Sequence, residues 1–304
     1  MSAGLGNDPR IGALRLPRLS APRAPGDDPT FADLGLAALA KECRYWQLGR
    51  DGGTFWELNA GTSAGHRDSW REIPVLMGSV AEAALLAGSA EVEIECLRRA
   101  VDVGTLPPEY GLSVRFFAEA QGQMLLGCGH RLANIGVRVM MLANGYPWGK
   151  DVPRSTPFPP NSDNRKDWIL MRDLRKYRAA APASGHAGLE RLIDVVLNLE
   201  ATPEWRALND ERGRDFHRAR EESPFVAGAR RVSVWKIAAL SPSVTQASLE
   251  YSDENATPAE ITAWTDQLGI APRAVMLGLP TAMAAFMSAL AAAMTEITGG
   301  TFTI

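Results

Sequence analysis

Between Tyr110 and Asn144 the sequence reads as one long helix in which Gly122, Gly129 and Gly136 recur every seven residues. Seven residues is close to two helical turns, so the three glycines share a face with Ala118 and Ala133 nearby. Each glycine inside a helix costs about 1 kcal/mol relative to alanine. A repeated set therefore predicts that another helix crosses close to this backbone.

The rest of the chain supplies helices to do so. Asp28, Pro29 and Thr30 precede FADLGLAALAKECRYWQL, where Phe31, Leu34, Ala38, Cys43, Trp46 and Leu48 form an inward stripe. A helix is expected from about Asp68 to Leu86, with Pro74 interrupting it or lying in its first turn. A separate short helix follows in SAEVEIECLRRAVDV, with acids early and arginines late, as the helix dipole favours. Helices resume at about Arg165, stop at the APASG turn, and resume with HAGLERLIDVVLNLEA, His186 standing at its start. Thr202 and Pro203 then open PEWRALNDERGRDFHRAREESP as N-cap and first helical residue, and Pro224 closes it. The apolar RRVSVWKIAAL reads as a short helix among helices, although Val232, Val234, Trp235 and Ile237 also suit a strand. TPAEITAWTDQLGI repeats the Thr-Pro-acid opening.

These segments predict an all-α fold, a multi-helix bundle in two helical halves, residues 30–150 and 165–304. The Pro-rich stretch 151–164 joins them, within a longer run dense in Pro, Gly and Asn. Residues 1–29, with Pro9, Pro17, Pro22 and Pro25 among Arg10, Arg15, Arg18 and Arg23, read as a flexible, disordered tail. They lack the apolar run of a secretory signal.

At 304 residues, 46% apolar and 22% charged, the chain can bury a sizeable core. Its net charge of -3 excludes a global basic field, so any nucleic-acid contact must be local. Cys43, Cys96 and Cys128 are too scattered for a disulfide framework or a metal cluster, which points to a reducing cytoplasm. His66, His130, His186 and His217 are never three or four residues apart, so no helical metal site is expected. No cofactor is expected either, because the glycines of RDGGTFWELNAGTSAG lack phosphate-loop spacing. From Ala274 to Thr295 there is no charge, a length that suits a bilayer span. Its alanine-rich composition without aromatic belts or a basic cluster favours a core helix, so stable membrane insertion is not expected.

Two places suggest chemistry. One is a polar stripe, Glu119, Gln123, His130, Asn134 and Arg138, along the glycine-striped helix. It is a register-fixing hydrogen-bond network, a solvent face, or a ligand-binding cleft lined by His130, Asn134 and Arg138. The other is the helix after Pro203. Leu208, Arg212 and Phe216 form one line with Trp205 and Ala219 beside it, so Arg212 falls in an apolar seam. Asp210, Arg214, His217, Arg218 and Glu221 form a charged line.

Arg212, four intervening residues and His217 resemble the Arg-x4-6-His motif of HEPN proteins, a superfamily of helical domains that includes metal-independent endoribonucleases of toxin and defence systems. The resemblance covers about residues 165–240. It implies a homodimer in which two motifs meet, RNA as substrate or partner, and catalytic roles for Arg212 and His217. Arg212 would bind the scissile phosphate, while His217 would act as general acid or base. Arg214 and Arg218 are candidate RNA-binding residues beside them. The alternative from the residues alone is that Arg212 pairs with an acid inside the bundle and His217 is an ordinary surface histidine. The protein would then be a non-enzymatic interaction or ligand-binding module.

Overall fold

Two threonines start helices here by the same local chemistry. The Thr202 hydroxyl accepts from the Trp205 amide at 3.3 Å. Thr257 completes a reciprocal box: its hydroxyl accepts from Glu260 N–H at 3.3 Å, while the Glu260 carboxylate accepts from the Thr257 amide at 2.9 Å. Such caps satisfy amides that a helix end leaves without intrahelical partners.

A computed structural model describes residues 26–51, 64–102, 104, 110–143, 168–217, 225–226, 229–241, 244–255 and 257–299. The fold is all-α in class, as the periodicity predicts, with one small antiparallel sheet added to the helices. Its helices are α1 (Ala37–Asp51), α2 (Ala64–Asp102), α3 (Tyr110–Leu142), α4 (Leu174–Ala180), α5 (Ala187–Ala201), α6 (Pro203–His217) and α7 (Pro258–Thr298). Short 3-10 turns at Met171–Asp173 and Ala181–Ser184 flank α4. The expected flexible tail up to residue 25, the Pro-rich stretch 151–164 and Arg218 lie outside the described residues.

Four local expectations are corrected. Helix α1 starts at Ala37 rather than Thr30, because Gly35 takes a left-handed φ of 75° and ends a preceding turn. Its inward stripe is accordingly Leu36, Leu39, Cys43 and Trp46, with Ala38 exposed. The two helices expected on either side of Gly88 are one 39-residue helix, α2. Packing outweighs the weak helix propensity at Gly88–Ser89: an added Cβ on Gly88 would meet the Phe31 ring at 2.6 Å. Likewise the last two segments join as the 41-residue α7, with Pro272 and Pro280 inside it. Each proline removes one helical hydrogen bond. Burial of Ala271, Val275, Met276, Leu279, Met283 and Phe286 along the same stretch keeps the helix going.

Last, RRVSVWKIAAL is strand rather than helix. It belongs to β2 (Ala229–Ser241), antiparallel to β3 (Val244–Asn255), with the two-residue β1 (Phe225–Val226) on the other side. The register pairs Trp235 with Leu249 and Ser233 with Tyr251. β-branched and aromatic residue types favour paired strands in general, and the pairing strand is not visible to a helical reading of one segment.

The chain folds as two units that interleave in sequence. One holds Met1–Asp28, Glu93–Phe117 and Glu221–Gln267; the other holds Pro29–Val92, Ala118–Arg220 and Leu268–Ile304. In the first unit, Arg98 bridges Asp266 at 2.7 Å and also holds Glu95. Burial by itself lowers the Arg98 pKa, but the bonds to Glu95 and the charge of Asp266 raise it overall.

The second unit carries most of the core. Trp46 and Phe286 pack with ring centroids 6.0 Å apart. On α5, Leu189, Leu192, Ile193 and Val196 point inward. Arg178 of α4 reaches across to Asp194 at 2.6 Å and Glu190 at 3.1 Å.

Cys43 and Cys128 lie fully buried in this core. Burial pushes both thiols up to about 12. Their folded pKa values stand above the free-thiol range, so the folded state holds these protons longer. Their contribution to stability is present at neutral pH and is lost as pH rises from about 9 towards 12. Both thiols are expected to resist iodoacetamide at pH 8 in the native protein and to react after unfolding, as read by peptide mass mapping. Rapid native labelling of Cys128 would contradict this packing.

Helices α2, from Glu72, and α7 are long and apolar enough to cross a membrane, with 56% and 50% of their most apolar windows buried. The same length and composition occur in core helices of soluble proteins, and Met276, Met283, Phe286, Leu290 and Met294 of α7 are core residues here.

Candidate functional site

The glycine stripe of α3 has the close neighbours its period predicts. An added Cβ on Gly122 would lie 3.2 Å from Leu208 of α6. On Gly129 it would run into the Trp205 indole and meet Met171 Sδ at 2.6 Å, and on Gly136 it would touch Leu174 at 3.9 Å. Helix α6 therefore sits on α3 through Trp205 and Leu208, both buried. At Gly129 a large apolar side chain fills a notch that only glycine leaves open, while Gly136 has room for an ordinary contact.

Arg212 follows Leu208 by one turn in sequence. The backbone of α6 carries Arg212, Arg214 and His217 within a single helix, and their side chains lie outside the described residues. At helical geometry, five residues separate Arg212 and His217 by about 7.5 Å along the axis and about 140° around it. Short side chains at that separation would diverge.

The polar stripe on α3 resolves into individual partners. Asn134, fully buried, donates through Nδ2 to the Ile169 carbonyl at 2.9 Å and accepts from the Ile169 amide at 3.2 Å. Its Nδ2 also donates to the His130 carbonyl at 2.7 Å. His130 Nδ1 accepts from the Met171 amide at 3.2 Å, which assigns its N–H to Nε2 in the neutral ring. Buried Arg138 donates through Nε to the Glu72 carboxylate. Gln123 is exposed and Glu119 half-buried. His130 and Asn134 thus dock the backbone at Ile169–Met171 onto α3, beside the Gly129 notch that receives Met171.

No known protein family, curated protein or solved structure matches this chain.

The remaining histidines are placed differently. His186 stands at the N-cap of α5 without a side-chain cap bond, while its carbonyl accepts from Glu190 N–H at 3.3 Å. His66 lies on α2, its side chain outside the described residues. Among the described residues, no three His, Cys, Asp or Glu side chains group to hold a metal ion. The backbone partners at Ile169 and Met171 are not legible in the sequence, since they lie 35 and 41 residues from Asn134 and His130.

Replacing Asn134 by alanine strands one buried amide and one buried carbonyl at Ile169. Each such group costs about 1–3 kcal/mol. Asn134→Ala is expected to lower stability by at least about 2 kcal/mol in urea denaturation. A loss below about 0.5 kcal/mol, the usual range for surface changes, would mean that Asn134 does not dock this segment.

Proposed function

We propose that this protein is a cytoplasmic HEPN-like endoribonuclease that acts as a homodimer without a divalent metal, in a toxin or defence setting. Arg212 holds the scissile phosphate and stabilises its developing charge. His217 moves a proton at the ribose 2′-hydroxyl or the leaving oxygen, and Arg214 and Arg218 contact the RNA backbone. RNA supplies its own nucleophile, guanidinium forks suit phosphate oxygens, and imidazole titrates near neutral pH, so the chemistry needs no metal.

The observation that supports this reading is α6 itself: one uninterrupted helix carries Arg212 and His217, and Trp205 and Leu208 anchor its first turns on α3. A helix held in that way is a rigid carrier for the residues that follow. The ligand-cleft reading of His130, Asn134 and Arg138 has less support, because these side chains bind the protein's own backbone and Glu72.

Purified protein is expected to cut single-stranded RNA in excess EDTA, with His217→Ala inactive. Wild-type protein that neither cuts RNA under these conditions nor retains it on a filter would end the proposal.

A further inference from the structure

Deep in the second unit a carboxylate joins three helices. Glu91 of α2 is 2% exposed, and such a buried charge is tolerable only when paired. Arg273 of α7 donates to its Oε1 at 2.6 Å and Gln121 of α3 to its Oε2 at 2.9 Å. The Gln121 amide also reaches the Ala87 carbonyl at 3.4 Å, and its buried Oε1 has no hydrogen-bond partner among the described residues. The second arm of the Arg273 guanidinium leaves this cluster and donates to the Leu34 carbonyl at 3.3 Å.

Leu34 belongs to the segment Pro29–Leu36 that precedes α1. This segment folds on itself: Thr30 and Asp33 cap each other reciprocally, and Leu36 N–H donates to the Phe31 carbonyl at 2.6 Å. It is fastened to the bundle at two places. Phe31 seats its ring in the Gly88 notch, one turn before Glu91 on α2, and the Leu34 carbonyl takes the free arm of Arg273. The side chain of Arg273 is 41% exposed, so part of it reaches solvent although its guanidinium is bound to a buried acid.

We infer that Pro29–Leu36 is a latched strap, closed over α2 by Phe31 in the Gly88 notch and locked by Arg273, which the buried Glu91 holds in place. Breaking the Glu91–Arg273 pair frees the strap, and a freed strap uncovers the notch and exposes Leu34 and Leu36, which are now buried in the core cluster. The cluster is built as a latch: the acid is inaccessible, the arginine is reachable, and a single guanidinium spans both.

Hydrogen exchange followed by mass spectrometry tests this on the full chain. In Arg273→Met the peptide covering residues 31–36 is expected to exchange about ten- to a hundredfold faster, the factor that loss of a charge-assisted hydrogen bond implies. The α5 peptide, residues 187–201, keeps its wild-type rate. Since Arg273→Met leaves Glu91 buried without its cation, the double variant Glu91→Leu/Arg273→Met removes both charges and keeps the bundle folded. Its strap is expected to exchange as fast as that of the single variant. Wild-type strap exchange in the double variant would overturn the inference, as would acceleration of α5 by the same factor, which reports general loosening.

Discussion

Gly188→Ala lowers stability by about 2–3 kcal/mol, although alanine is the better helix former. An added Cβ at Gly188 would stand 2.6 Å from Ala293 N and 2.8 Å from Ala292 C and Ala293 Cα. Those atoms are backbone of α7 and cannot rotate away as a side-chain tip can, so α5 and α7 must move apart. The same approach lets the Gly188 amide donate to the Glu296 carboxylate at 2.7 Å, a bond that separation weakens. Gly278, exposed in the middle of α7, meets nothing within 4 Å. Gly278→Ala is therefore expected to raise stability by about 0.5–1 kcal/mol, the backbone entropy saved in an open helix position. Guanidinium denaturation of both variants checks the pair. If Gly188→Ala is as stable as the wild type, α5 does not rest on the α7 backbone.

This contrast shows which features the sequence could reveal. Gly122, Gly129 and Gly136 announce themselves by a seven-residue period, and Leu208 and Trp205, which meet the first two, lie on or beside the apolar line that helical spacing draws through α6. Gly188 has no period, and its partner lies some hundred residues later, so nothing local marks it. Thr202 and Thr257 were legible as helix starts because a cap involves neighbours within three residues. The β2–β3 hairpin was not, because β2 finds its pairing strand only once the chain has turned back. Breaks expected near Gly88 and Pro272 follow propensity, which the packing of Phe31 against Gly88 and the burial of the α7 core residues override. At the candidate site, the Arg212–His217 spacing is local and readable. Asn134 and His130 stood out as polar residues on an apolar helix, yet their backbone partners around residue 170 depend on tertiary contact.

The reading of α6 as catalytic makes the largest kinetic prediction. His217→Ala is expected to reduce metal-free RNA cleavage by about 10²–10⁴-fold, the contribution of a positioned general acid or base. If Arg212 meets developing phosphate charge as proposed, Arg212→Ala is expected to cost about 10²–10³-fold. Arg212→Lys keeps the charge but loses the planar two-pronged donor, so it should recover only part of that loss. The two positions also differ in binding. His217→Ala is expected to retain RNA on filters with little change, whereas Arg212→Ala weakens retention and reduces its salt dependence by about one phosphate contact. Circular dichroism and urea midpoints must stay at wild-type values in both variants, because a structural role for Arg212 in the seam beside Leu208 would lower stability together with activity. A stable, folded His217→Ala protein that cuts RNA at the wild-type rate would remove histidine from the chemistry. A stability loss in Arg212→Ala that fully accounts for its lost cleavage would leave the arginine as packing.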